Sequence, residues 1–209
     1  MSIAQRGTST TGLQNSPEYL IDRWSYRRAG TWTTATYTMT QSTDVPSGQG
    51  FSNSAKIDVT ASEASAPADA ASQFSQFIEG QNLQYLKKGT SNAESVTCSF
   101  WVKSNKTGTY IVELRDEDNT RSISKSYTIN SASTWEKKTI TYEGDTTGTL
   151  NNDNNTSFKL EFFLAAGSNY TSGTLQTSWG SAVDANRAVG QVNLADSTSN
   201  EWYITGVQL

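Results

Sequence analysis

Ala93 to Tyr127 reads AESVTCSFWVKSNKTGTYIVELRDEDNTRSISKSY. Val96, Cys98, Phe100 and Val102 alternate with Ser95, Thr97, Ser99 and Trp101. A period of two is what a strand with one buried face requires. Ser104-Asn105-Lys106-Thr107-Gly108 then supplies turn chemistry, and Tyr110, Val112 and Leu114 resume the alternation. Asp116-Glu117-Asp118-Asn119 makes a second polar turn. The stretch predicts three antiparallel strands joined by two tight turns.

The same pattern recurs outward from it. Leu20 to Trp24 and Thr34 to Thr40 read as short strands, and Ala55, Ile57 and Val59 share one face of another. Phe74 to Ile78, Trp135 to Tyr142 and Trp202 to Leu209 add more. Phe158, Leu160, Phe162 and Leu164 point one way, and Lys159, Glu161 and Phe163 the other. Residues 1–18 read as an extended arm or first edge. Residues 61–72 read as a mobile loop or a short helical turn after Pro67, and 165–192 as long surface excursions anchored by Trp179. The expected fold is all-β: an antiparallel, jelly-roll-like β-sandwich of nine to eleven strands, one domain over 1–209.

Composition agrees with that class. Only 34% of residues are hydrophobic and there are three prolines. Six Trp, nine Tyr and seven Phe are enough to build a core. Net charge is −4 with no basic run, which argues against a nucleic-acid partner. No apolar run approaches the ~18 residues of a membrane span, and the amino terminus does not read as a signal peptide. Cys98, alone of its kind, falls at an inward position and reads as a small buried hydrophobe. Four Asn-X-Ser/Thr matches read as polar loops.

There is no histidine. This removes Ser–His–Asp and Cys–His nucleophilic sites and most zinc sites at once. A carboxylate-only enzyme and a calcium-dependent binder survive that test. Asp116, Glu117, Asp118, Asp145, Asp153 and Asp184 are the acids to consider, but most sit in turn-like segments where Asp has structural work. No catalytic residue, metal ligand or cofactor is assigned.

Two other groups qualify as candidates. Asp22-Arg23-Trp24, read on a strand, places Asp22 and Trp24 on one face and Arg23 on the other. It reads first as a structural cluster with Trp24 in the core, and otherwise as a sugar-holding pair. Trp32, Tyr37, Trp101, Tyr110, Trp135, Tyr170, Trp179 and Trp202 exceed what one sandwich face needs. Of these Trp32, Trp101, Tyr170 and Trp179 are the interface or glycan-stacking candidates, with subunit packing favoured.

Several segments, in order along nearly the whole chain, resemble a family of β-sandwich proteins from tail fibres, head fibres and capsid decorations of tailed bacteriophages. They are Ile3-Ala4-Gln5-Arg6-Gly7-Thr8-Ser9, Asp22-Arg23-Trp24, Ser99-Phe100-Trp101-Val102-Lys103-Ser104 with Gly108-Thr109-Tyr110, and Ile204-Thr205-Gly206-Val207-Gln208-Leu209. Phe77-Ile78-Glu79-Gly80 and Thr134-Trp135-Glu136 fit as well. The resemblance implies a carbohydrate-binding-module-like jelly roll, without catalytic residues, that assembles as a homotrimer in the virion. No shaft or docking segment is visible, so the expectation is a non-enzymatic decoration or short head fibre seated on the major capsid protein or another virion protein. The alternative is a tail-fibre domain that recognises host surface glycans.

Overall fold

The computed structural model describes residues 1–13 and 17–209. Its thirteen described strands are β1 (Ser9–Leu13), β2 (Glu18–Tyr19), β3 (Trp24–Ala29), β4 (Thr36–Ser42), β5 (Ser54–Ala61), β6 (Ala71–Glu79), β7 (Val96–Ser104), β8 (Gly108–Asp116), β9 (Arg121–Ile129), β10 (Glu136–Tyr142), β11 (Thr156–Ala166), β12 (Gly180–Ser181) and β13 (Glu201–Gln208). They form two antiparallel sheets, in the orders β1-β4-β5-β13-β7-β10 and β12-β9-β8-β11-β6-β3-β2. The two-residue strands β2 and β12 take the number beyond the nine to eleven expected. Among the described residues no helix is long and apolar enough to cross a membrane.

The chain changes sheet between β1 and β2, β3 and β4, β5 and β6, β6 and β7, β7 and β8, β9 and β10, β10 and β11, and β12 and β13. That repeated crossing makes the sandwich jelly-roll-like. It also separates the strands of the decisive stretch. β8 and β9 form a hairpin with Asp116 opposite Arg121, whereas β7 lies in the other sheet. The Ser104–Gly108 connection therefore bridges the sheets.

The inward faces meet in one aromatic core. The Phe162 ring lies 5.0 Å from Phe100, 6.0 Å from Trp202, 6.1 Å from Trp24 and 6.5 Å from Tyr127. Cys98 is fully buried, and burial pushes its thiol up to about 12.

Four expectations need correction. Leu20 to Trp24 is not a strand. Leu20 and Ile21 are both buried, which a turn permits and an alternating strand does not. Arg23 sits there at φ +65°, and the Trp24 N–H donates to the Ile21 carbonyl at 3.0 Å. Asp22 and Trp24 thus do not share a strand face. Trp32, Tyr37, Tyr110 and Trp202 are not surplus surface rings. All four are buried because they fill the space between the sheets. The span 1–18 divides between edges, β1 pairing with β4 and β2 with β3, while residues 14–16 lie outside the described residues. Of residues 61–72 only 62–70 connect β5 to β6, since Ala61 ends β5 and Ala71 and Ser72 open β6.

Candidate functional site

The seven-stranded sheet has an outer face built by alternation. Gln73, Ser75 and Phe77 on β6 stand opposite Phe163, Glu161 and Lys159 on β11. Glu161 and Lys159 in turn face Glu113 and Arg115 on β8. On the far side Arg27 and Ser25 of β3 face Gln73 and Ser75.

The segment between β11 and β13 folds back over part of this face. Backbone bonds pin it: Gly167 N–H to Ala70 at 2.7 Å, Asn169 N–H to Ala68 at 2.8 Å, and Ala188 N–H to Tyr170 at 2.9 Å. Beneath it Ala71, Ile111, Phe163 and Ala188 form a second small core, with Tyr170 and Leu175 packed against it. This explains why Phe163 points outward and is still fully buried.

Where the covering segment stops, a cleft of about 200 Å³ opens, walled by Arg27, Gln73, Lys159, Glu161, Tyr170 and Arg187. Glu161 is buried in its lining, and Glu113 is buried beside it on β8. Arg187 Nη2 reaches Glu113 at 2.6 Å and Glu161 at 2.9 Å. Burial, then the Glu113 charge, push the Glu161 carboxyl up to about 7, against the pull of Arg187 and Lys159. Beside them Arg115 and Lys159 share the Glu117 carboxylate, at 2.8 and 3.0 Å.

Arg27 and Gln73 differ from these. Among the described residues neither side chain has a hydrogen bond or ion pair, although Gln73 is only 5% exposed. Beyond the cleft, Lys159 lies 5.5 Å over the Phe77 ring, and Tyr19 stands 6.4 Å from Phe77 with Arg6 over it.

Other candidates fall elsewhere. Tyr170 lines the cleft, half-buried, with the Arg187 guanidinium 5.7 Å over its ring. Trp101 is half-buried on the outer face of the other sheet, opposite Lys137 and Thr205. Trp179 stacks on Phe158 at 5.8 Å and donates to the Glu143 carbonyl. Trp24 stacks on Phe74 at 4.8 Å inside the core. Arg23 lines a separate hollow with Tyr19 and Phe77.

The turn acids have structural partners. Asp116 and Asp145 hold Lys88 at 2.5 and 3.0 Å. Asp118 accepts from Asn151, and Asp153 from Asn155. Among the described residues no three His, Cys, Asp or Glu side chains converge as a metal site. The acid pair that does converge, Glu113 and Glu161, was not singled out from sequence. Its one signal was a Glu at an outward position inside each of two apolar strands. Glycoside hydrolysis needs carboxylates about 5–10 Å apart with the sugar between them. These two touch one guanidinium nitrogen, which leaves no room for a ring.

Neither a family model nor a curated protein matches the chain. Solved structures similar to it include the enzymatically active domain of tailspike protein 4 of bacteriophage CBA120, at 17% identity and TM-score 0.46. That match covers 89% of this chain but 19% of the tailspike chain. The family 11 carbohydrate-binding module of a cellulosomal cellulase of Clostridium thermocellum matches at 10% identity and TM-score 0.43, covering 92% of this chain and 93% of that one. A CBM22-1–GH10 xylanase of Clostridium thermocellum complexed with xylohexaose matches at 14% identity and TM-score 0.40, over 94% of this chain and 27% of that one. All three are distant, and the functional reading rests on the residues of this chain.

Proposed function

We propose that this chain is a non-enzymatic carbohydrate-binding β-sandwich that serves as a receptor-binding unit on the exterior of a bacteriophage particle. The observation that carries the reading is the cleft on the outer face of the seven-stranded sheet. It combines polar side chains without a partner among the described residues, Arg27 and Gln73, with the Tyr170 ring at its wall. The Tyr19 and Phe77 rings extend the same face beyond Lys159. Sugars need both parts, polar groups for hydroxyls and aromatic faces for their C–H surfaces. The phage-like segments of the sequence support the particle setting.

The test is a glycan array of bacterial surface polysaccharides probed with the purified chain. Retention on at least one glycan is expected, and Tyr170→Ala should weaken it by about 1 kcal/mol, roughly fivefold. An array with no retained glycan would sink the reading.

Capsid decoration by a homotrimer is the second reading. Trp101, half-buried on the opposite face of the sandwich, favours it as a packing anchor. Light scattering and co-sedimentation with empty capsids test it. A monomer that stays in the supernatant would discard it.

A further inference from the structure

We infer that the cleft takes a carboxylated sugar, a uronic or sialic acid unit, with Arg27 and Gln73 as its anchoring groups. This rests on the glycan-binding reading and names its ligand class.

Arg27 and Gln73 are direct cross-strand partners on β3 and β6. Such pairs hold their Cβ atoms about 4.5–5.5 Å apart, so both side chains reach one ligand group. Both line the cleft, and neither has a partner among the described residues. Gln73 is more than nine-tenths buried. Its amide opens on the cleft and is not sealed in the core, so a ligand or water can bond it there.

The other cations around them each have a carboxylate partner. Arg115 and Lys159 are held by Glu117, and Arg187 by Glu113, Glu161 and Asp184. Arg27 is the cation of the cleft left without a counter-ion among the described residues. A planar guanidinium matches a carboxylate with two parallel hydrogen bonds, and the neighbouring amide N–H can add a third. A neutral sugar would leave that exposed guanidinium bonded to water and make no use of the paired geometry.

Glu161 opposes an anion in the same cleft when ionised. It is faced by Glu113 from β8, by Arg187 from the covering segment, by Lys159 on its own strand and by the uncharged Ser75 from β6. Its carboxyl is pushed up to about 7, so the cleft becomes less negative below that pH. A sugar carboxylate, with a pKa near that of an α-carboxyl, about 3.5, stays ionised throughout. Acid-sugar binding should therefore tighten from pH 8 to pH 6.

The experiment is titration calorimetry with oligogalacturonate and its methyl ester, and with sialyllactose and lactose. Wild type is compared with Arg27→Gln and with Lys137→Gln, an exposed cation on the other sheet. At least one acidic ligand is expected to bind tenfold or more tighter than its neutral counterpart, and which acid prefers the cleft tells uronic from sialic recognition. Arg27→Gln should erase that preference while the melting temperature holds, and Lys137→Gln should leave it intact. Equal binding of acid and neutral forms overturns the inference and leaves glycan binding standing. So does a preference that survives Arg27→Gln. Absence of any glycan binding overturns both.

Discussion

Two buried ion clusters show how single residues decide stability and chemistry here. Lys88 is almost fully enclosed, and its ammonium touches Asp116, Asp145 and the carbonyls of Thr147 and Gly148. Removing one partner of a buried pair leaves the other charge uncompensated, at about 3–5 kcal/mol. Lys88→Met is expected to cost that much in urea unfolding, because the buried Asp116 loses its cation, while Asp145 keeps Arg121 at 2.7 Å. The Glu113–Glu161–Arg187 cluster gives a different signature. Glu161 has a folded pKa near 7, against about 4.3 in an unfolded chain. Between those values the native state holds a proton that the unfolded state has released. Stability is therefore expected to fall as pH rises from about 5 to 7. Urea midpoints across that range check the slope, and Glu161→Gln should flatten it. A wild-type midpoint constant from pH 5 to 8 would contradict the assignment.

At the scale of elements, the covering segment after β11 depends on one close approach. A Cβ added at Gly167 would meet the Pro67 carbonyl oxygen at 1.8 Å, so the backbones touch where only glycine fits. From there the chain carries Tyr170 and Arg187 onto the outer face. Gly167→Ala is expected to cost about 1–3 kcal/mol and to shift both side chains. Weakened glycan binding alongside a modest fall in melting temperature would bear this out. Wild-type affinity would mean that the segment is placed by its other bonds. Gly30 plays a related part after β3. At φ +92° it brings the chain against Asp69, whose carboxylate accepts from the Thr31 N–H at 3.1 Å.

For the whole molecule, the last strand matters most. β13 lies between β5 and β7 in the middle of its sheet, and its Trp202 and Ile204 enter the main core. Deleting residues 201–209 would leave two inner strand edges unpaired and open the aromatic cluster. The truncated chain is expected to lose cooperative unfolding and to aggregate; a sharp melt near that of the full chain would refute this. Phe162→Ala at the centre of the same cluster should cost about 3–5 kcal/mol. Tyr19→Ala on the exposed rim should change stability by less than about 0.5 kcal/mol.

Alternation alone determined the strands: Cys98, Phe100 and Val102, or Phe158, Leu160 and Phe162, could face inward together only on extended backbone. The same logic carried the all-β class, the antiparallel sandwich and the burial of Cys98. Histidine-dependent chemistry was excluded by composition. Which sheet each strand joins was not legible, because β7 and β8 are neighbours in sequence yet lie in opposite layers. Turn residues specify that the chain reverses, not which partner it then meets. Trp32 and Tyr37 looked available for the same reason, since burial depends on what packs from across the sandwich. The cleft is tertiary throughout. Register sets Glu161 opposite Glu113 and Arg27 opposite Gln73, and the fold-back after Gly167 brings Arg187 and Tyr170 to them. Those contacts join residues far apart in the chain, and only the closed sandwich gives them a common surface.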